Sequence, residues 1–127
     1  MIEEYDAWLA SSSTNSWVSD GILDIYVRKG YHFFDGVCTY TLDVANISSI
    51  EPEYEGQGHF KRFMLHVESK GHPVFVECIH NPLLVEMLEK NGYTIMVRDH
   101  STHAIKFPRR NSDDSKTETI DNQNVPI

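Results

Sequence analysis

The chain reads as an α/β (α+β) domain, a central mixed sheet flanked by helices. Three observations predict this. Runs rich in β-formers recur along the chain: ILDIYV at 22–27, VCTYTL at 37–42 and VFVECI at 74–79. Between and after them stand two segments of helical spacing. Phe60, Phe63, Met64 and Val67 fall at i, i+3, i+4 and i+7, and Leu84, Met87 and Leu88 form a second apolar face. Strands with interleaved helices of this kind call for a sheet with helices packed on it.

Each element has its own signals. Residues 2–10 suit a short helix with Ile2, Tyr5, Trp8 and Leu9 on one face, and Ser11 to Asn15 is a polar break. Ile22 to Val27 alternates as a strand, and Lys29-Gly30 reads as a turn. A second turn lies in Phe33-Phe34-Asp35-Gly36, before the strand-like Val37 to Leu42. Ile47 to Glu51 is a further strand candidate, ended by Pro52. The helix carrying Phe60 has Lys70 in its last turn and Gly71 at its end. Val74 to Ile79 reads as a buried strand. Asn81 suits an N-cap and Pro82 the first helical position, and Gly92 can close that helix. Thr94 to Val97 and His103 to Phe107 suggest a last hairpin about Asp99-His100-Ser101. From Pro108 the composition turns polar. The expected organisation is one domain over 1–107 and a disordered tail over 108–127.

The bulk numbers narrow the function classes. At 127 residues the chain can bury a real core. A net charge of −8 opposes a general nucleic-acid coat, which needs a basic field. No apolar run approaches the ~20 residues that span a bilayer, and the acidic start MIEEYDAWLA has no signal-peptide pattern. No membrane role and a cytoplasmic location are expected. Cys38 and Cys78 sit in apolar runs and read as buried free thiols. His66, His72, His80, His100 and His103 show no ligand spacing, so no metal is assigned.

The densest signal is the segment from Ile50 to Tyr93. A strand end runs through Pro52 and Tyr54 into Gly56-Gln57-Gly58, and a helix follows. A strand feeding a glycine turn at a helix N-terminus is a device for holding phosphates. A second strand then leads to Asn81, a helix, and Glu89-Lys90-Asn91-Gly92-Tyr93. This arrangement resembles the GNAT (GCN5-related N-acetyltransferase) superfamily, whose members carry a Gln/Arg-x-x-Gly-x-Gly/Ala turn for the coenzyme A pyrophosphate. The compact size also resembles acetyltransferase-like proteins of bacteriophages. The resemblance implies acetyl-CoA as acyl donor. It implies that Ser48, Ser49 and Ile50 pair their backbone with the pantetheine arm. Gly56, Gln57, Gly58, His59, Phe60 and Lys61 would cradle the pyrophosphate, with Asn81 near the coenzyme beside the second helix. The implied partners are a coenzyme A thioester and an amine acceptor or protein. Little chain precedes the first strand, so the acceptor pocket is expected to be open or completed by a partner chain, such as a second copy.

Three positions depart from the family pattern. Glu55 stands where Gln or Arg is usual, Phe60 at the final Gly/Ala, and Leu88 where many members place a Tyr that protonates the departing thiolate. Leucine has no proton to give. Acetyl transfer to an amine also needs a base. Glu51, before the turn, and Glu77, desolvated within VFVECI, are the two candidates. The reading is therefore an N-acetyltransferase, with a non-catalytic GNAT-fold binding protein as the alternative.

Overall fold

A computed structural model of the chain describes residues 1–49 and 58–108, and the side chains of residues 48 and 49 fall outside that description. Ile50, Glu51, Glu55, Gly56, Gln57 and the tail residues 109–127 also lie outside the described residues. The elements run α1 (Ile2–Leu9), β1 (Asn15–Ser19), β2 (Leu23–Phe34), β3 (Val37–Ser49), α2 (His59–Glu68), β4 (Val74–Val76), α3 (Pro82–Lys90), β5 (Thr94–Arg98) and β6 (Ser101–Lys106). They form a six-stranded mixed sheet in the order β1-β2-β3-β4-β6-β5. Among the described strands only β3 and β4 pair in parallel, with Val44 opposite Val76. No helix among the described residues is long and apolar enough to cross a membrane.

Alternation divides the sheet's side chains into two faces. Val18, Leu23, Ile25, Val27, Leu42, Val44, Val74, Val76 and Ala104 point to one face. There they form a single core with Tyr5 and Trp8 of α1, Phe63, Met64 and Val67 of α2, and Leu88 of α3. α2 and α3 thus pack the apolar stripes read in the sequence against this core, whereas α1 buries Tyr5 and Trp8 and leaves Ile2 exposed. The opposite face carries Asp43, Phe75, Glu77, His103 and Ile105, and the long β2–β3 hairpin bends back across it. His32 stacks on Phe75 with ring centroids 4.1 Å apart, and Phe34 meets Phe107 at 5.5 Å. Arg98 Nη2 donates to the Phe33 carbonyl at 3.1 Å. Phe75 and Ile105 are buried on this face, and the rings of His32, Phe34 and His103 lie against Phe75.

Several sequence expectations change. Lys29-Gly30 is not a turn but lies within β2, and the real turn is Asp35-Gly36, with φ of 51° and 80°. Gly30 is there for a non-local reason: the Asp43 carboxylate of the neighbouring strand occupies the space a Cβ would fill. The two strands expected at 37–42 and 47–51 are one, Val37–Ser49. β1 was not expected, because only Val18 of its five residues is buried among serines and an asparagine. Both cysteines are exposed rather than buried. Cys38 sits on the distal hairpin beyond the helices, and Cys78 at a kink where φ reaches 49°.

Candidate active site

The site begins where the parallel pair parts. Glu77 N donates to Val44 O at 3.0 Å, the last bond joining β3 to the β4 segment. Cys78 then takes a positive φ, and Ile79 N turns to Thr102 O of β6 at 2.8 Å. β3 meanwhile continues to Ser49 on β2, through a bulge at Asn46. Asn46 has φ of 48°, a region that asparagine tolerates better than most residues, and bulges re-aim strands. The carboxyl ends of two parallel strands therefore part, and ligands usually bind where such ends separate.

The N-terminus of α2 lies beside the start of α1 and Asp20. Gly58 is its N-cap with φ of 82°, and glycine brings no side chain of its own to the first amides. Those amides carry the partial positive charge of a helix start. His59 and Arg62 follow, with Arg62 Nη2 2.9 Å from His59 Nδ1. They line an open depression of about 270 Å3 that also includes Glu3, Asp20 and Phe63, so its charge is mixed. Phe60 packs against the core, which makes its bulk compatible with the turn. Lys61 does not join this depression; its side chain lines the groove between α2 and α3 with Met64, Met87 and Leu88. Ser48 and Ser49 lie on β3 past the point of divergence, opposite Asp24 and Leu23. Asn81 is the α3 N-cap, its side chain accepting from Leu83 N at 2.9 Å.

At the vertex the sequence reading missed a polar network. Asp43, with a side chain 1% exposed, accepts from Thr41 Oγ1 at 2.5 Å and from Arg28 Nη2 at 3.0 Å, and lies 2.9 Å from His32 Nε2. Arg28 Nη2 also bonds Glu77, whose side chain is 19% exposed. Glu77 is therefore a held carboxylate rather than a lone one in an apolar strand. His32, Asp43 and Glu77 bring ligand-type atoms within 4.8 Å of one another, yet the positive charge between the two carboxylates is already that of Arg28. His103 completes the cluster. Its Nδ1 accepts from Cys78 N at 3.1 Å and its ring stacks on Phe75. Burial, aided by the charges of Arg98 and His32 and opposed by Glu77 and Asp99, holds its pKa below the ordinary histidine value. The sequence signals for this network were an aspartate inside the apolar run Thr41–Ala45 and a glycine inside a strand.

The expected thiolate partner position offers no hydroxyl, and the tyrosine near it is engaged elsewhere. Leu88 is 1% exposed in the core. Tyr93, nearby, donates its hydroxyl to Glu68 Oε2 at 2.8 Å, and burial together with that carboxylate pushes its pKa well up.

The strand order, with its parallel β3–β4 pair and its helices packed on one face, is a GNAT-like fold. No protein-family model matches this chain, and no curated protein does. Solved structures with the same fold do match. One is the KacTA–DNA complex, with a TM-score of 0.54 and 14% identity over 83% of this chain and 75% of that one. Another is a Y144F mutant of the AtaT toxin bound to the C-terminus of the antitoxin AtaR and acetyl-CoA, with a TM-score of 0.52 and 15% identity over 67% of this chain. This chain spans 57% of the AtaT chain's length.

Proposed function

We propose that this protein is an acetyl-CoA-dependent N-acetyltransferase acting on an amine of a small molecule or a protein. The observation that carries the reading is the divergence of β3 and β4 at Glu77, in a chain whose next helix opens on Gly58 with the partial positive charge of a helix N-terminus. A pantetheine arm fits along the freed edge of β3 at Ser48 and Ser49, and its pyrophosphate fits the α2 amides. The likeness to an acetyl-CoA-bound fold supports this placement. An amine would attack the thioester carbon, and the C–S bond would break to release coenzyme A as thiolate. Glu77, at the vertex, is the base that takes the amine's proton, directly or through a water, while Arg28 fixes its carboxylate. With Leu88 apolar and the Tyr93 hydroxyl committed to Glu68, solvent reprotonates the thiolate. A user of acetyl-CoA would work in the cytoplasm.

The missing hydroxyl at Leu88 favours a second reading, a GNAT-fold binding protein without turnover. Thermal unfolding with millimolar acetyl-CoA tests binding, since a ligand of the native state raises the midpoint. No shift would sink the first reading. A shift without release of coenzyme A thiol on a panel of amines would favour the second. If thiol is released, equal rates for wild type and Glu77→Gln would remove Glu77 as the base.

A further inference from the structure

The two edges of the sheet are treated differently, and the difference points to a partner. On β1 the outward residues are Asn15, Trp17 and Ser19, because Lys29 N donates to Thr14 O and Asp20 N to Leu23 O. The chain covers part of that edge itself. Ser13 Oγ donates to Asn15 O at 2.8 Å, Ser16 Oγ to Trp17 O at 3.2 Å, and Ser19 N donates to Glu4 Oε1 at 2.8 Å.

Among the described residues the β5 edge has no such cover. Leu42 N bonds Pro73 O and Glu77 N bonds Val44 O, so Val74 and Val76 turn their amides and carbonyls to β6. Thr102, Ala104 and Lys106 of β6 then face β4, and Ser101, His103 and Ile105 face Arg98, Met96 and Thr94 of β5. The N–H and C=O groups of Ile95 and Val97 are left pointing outward. Among the described residues no hydrogen bond is made to any of these four groups. The strand TIMVR has no proline or glycine, and Val97 is 70% exposed. A bare edge of β-formers is a template for strand pairing.

We propose that β5 pairs with β5 of a second copy of this chain, joining two sheets antiparallel about a two-fold axis at Met96. That register sets Ile95 opposite Val97 of the other copy and Val97 opposite its Ile95. All four outward groups on each copy are then satisfied, and a shift of the axis by one residue satisfies fewer. The exposed Val97 side chain is covered by Ile95 of the other copy on the helix-bearing face. Arg98 meets Thr94, so a chain of net charge −8 pairs without bringing acid to acid. The inference is independent of the acetyltransferase reading.

The full chain with Cys38→Ser and Cys78→Ser tests it, since both native thiols are exposed. Light scattering should give twice 14.6 kDa. In that background Met96→Cys should cross-link to itself on mild oxidation. Residues facing each other in a non-hydrogen-bonded antiparallel pair stand about 4.5 Å apart at Cα, within a disulfide's reach. Arg98→Cys should not, because its two copies would lie about 13 Å apart along the strands. Val97→Pro removes an outward N–H without touching the ladder to β6 and should give a monomer with an unchanged far-UV spectrum. Val97→Lys is the second variant should the proline prevent folding, and Trp17→Lys on the other edge should remain dimeric. A monomer at all concentrations would overturn the proposal. So would cross-linking at residue 98 but not 96, or a folded Val97 variant that stays dimeric.

Discussion

Removing the Asp43 carboxylate should be among the most costly single changes in this molecule. Its side chain is 1% exposed and gathers Thr41, His32 and Arg28 on the face crossed by the returning hairpin. In Asp43→Ala each donor loses its acceptor, but unequally. Arg28, with a side chain 37% exposed, keeps Glu77 and can turn to water, so its share is small. Thr41 is fully buried, so its orphaned hydroxyl costs about 1–3 kcal/mol, and His32, with a side chain 17% exposed, adds less. With the cavity left behind, a loss of about 3 kcal/mol follows. For a domain of roughly this size that lowers Tm by about 10–20 °C. Urea unfolding followed by circular dichroism would read it. Thr41→Val added to Asp43→Ala should recover about 1 kcal/mol, because it removes the orphaned hydroxyl, whereas alone it should destabilise. A loss below about 1 kcal/mol for Asp43→Ala would refute the reasoning, since the carboxylate would then not be holding the network.

Other consequences can be measured alongside. Gly30→Ala should destabilise the hairpin by driving a Cβ into Asp43, and Gly30→Ala with Asp43→Ala should cost less than the sum of the two, read by the same urea series. His103 has a depressed folded pKa, so the unfolded chain takes up its proton first as pH falls through the ordinary value of about 6.5. Stability should therefore decline from about pH 7 downward until the folded-state pKa is passed, and His103→Gln should flatten that limb. Asn81→Ala should cost about 1 kcal/mol through loss of the cap on Leu83 N, with little change in any coenzyme affinity if its role is the cap alone.

What could be read from sequence was local. The Phe60–Val67 stripe, the Asn81-Pro82 start and the Asp35-Gly36 turn depend on neighbours within a few residues, and all stand where the pattern put them. Gly30 was misread because its reason is Asp43, 13 positions away and adjacent only once β2 and β3 are in register. The same distance hid Arg28, Asp43, His32 and Glu77 as a group: each looks like an ordinary polar residue of an alternating strand until the hairpin bends over Phe75. β1 was hidden for the opposite reason, since a half-exposed edge strand with one buried valine has almost no periodic signal. Of the expected coenzyme residues, Gly58 and His59 stand at the helix start and Ser48 and Ser49 on the diverging strand, while Lys61 turns toward α3.

The most direct test is a calorimetric titration of acetyl-CoA into the full chain and into Gly58→Val. A side chain at Gly58 is strained by its φ of 82° and would disturb the amides at the head of α2. The account predicts one-site binding to the wild type, weakened at least tenfold in a Gly58→Val protein that still unfolds cooperatively. Absence of binding to the wild type at millimolar acetyl-CoA would contradict it, as would equal affinity in the two proteins.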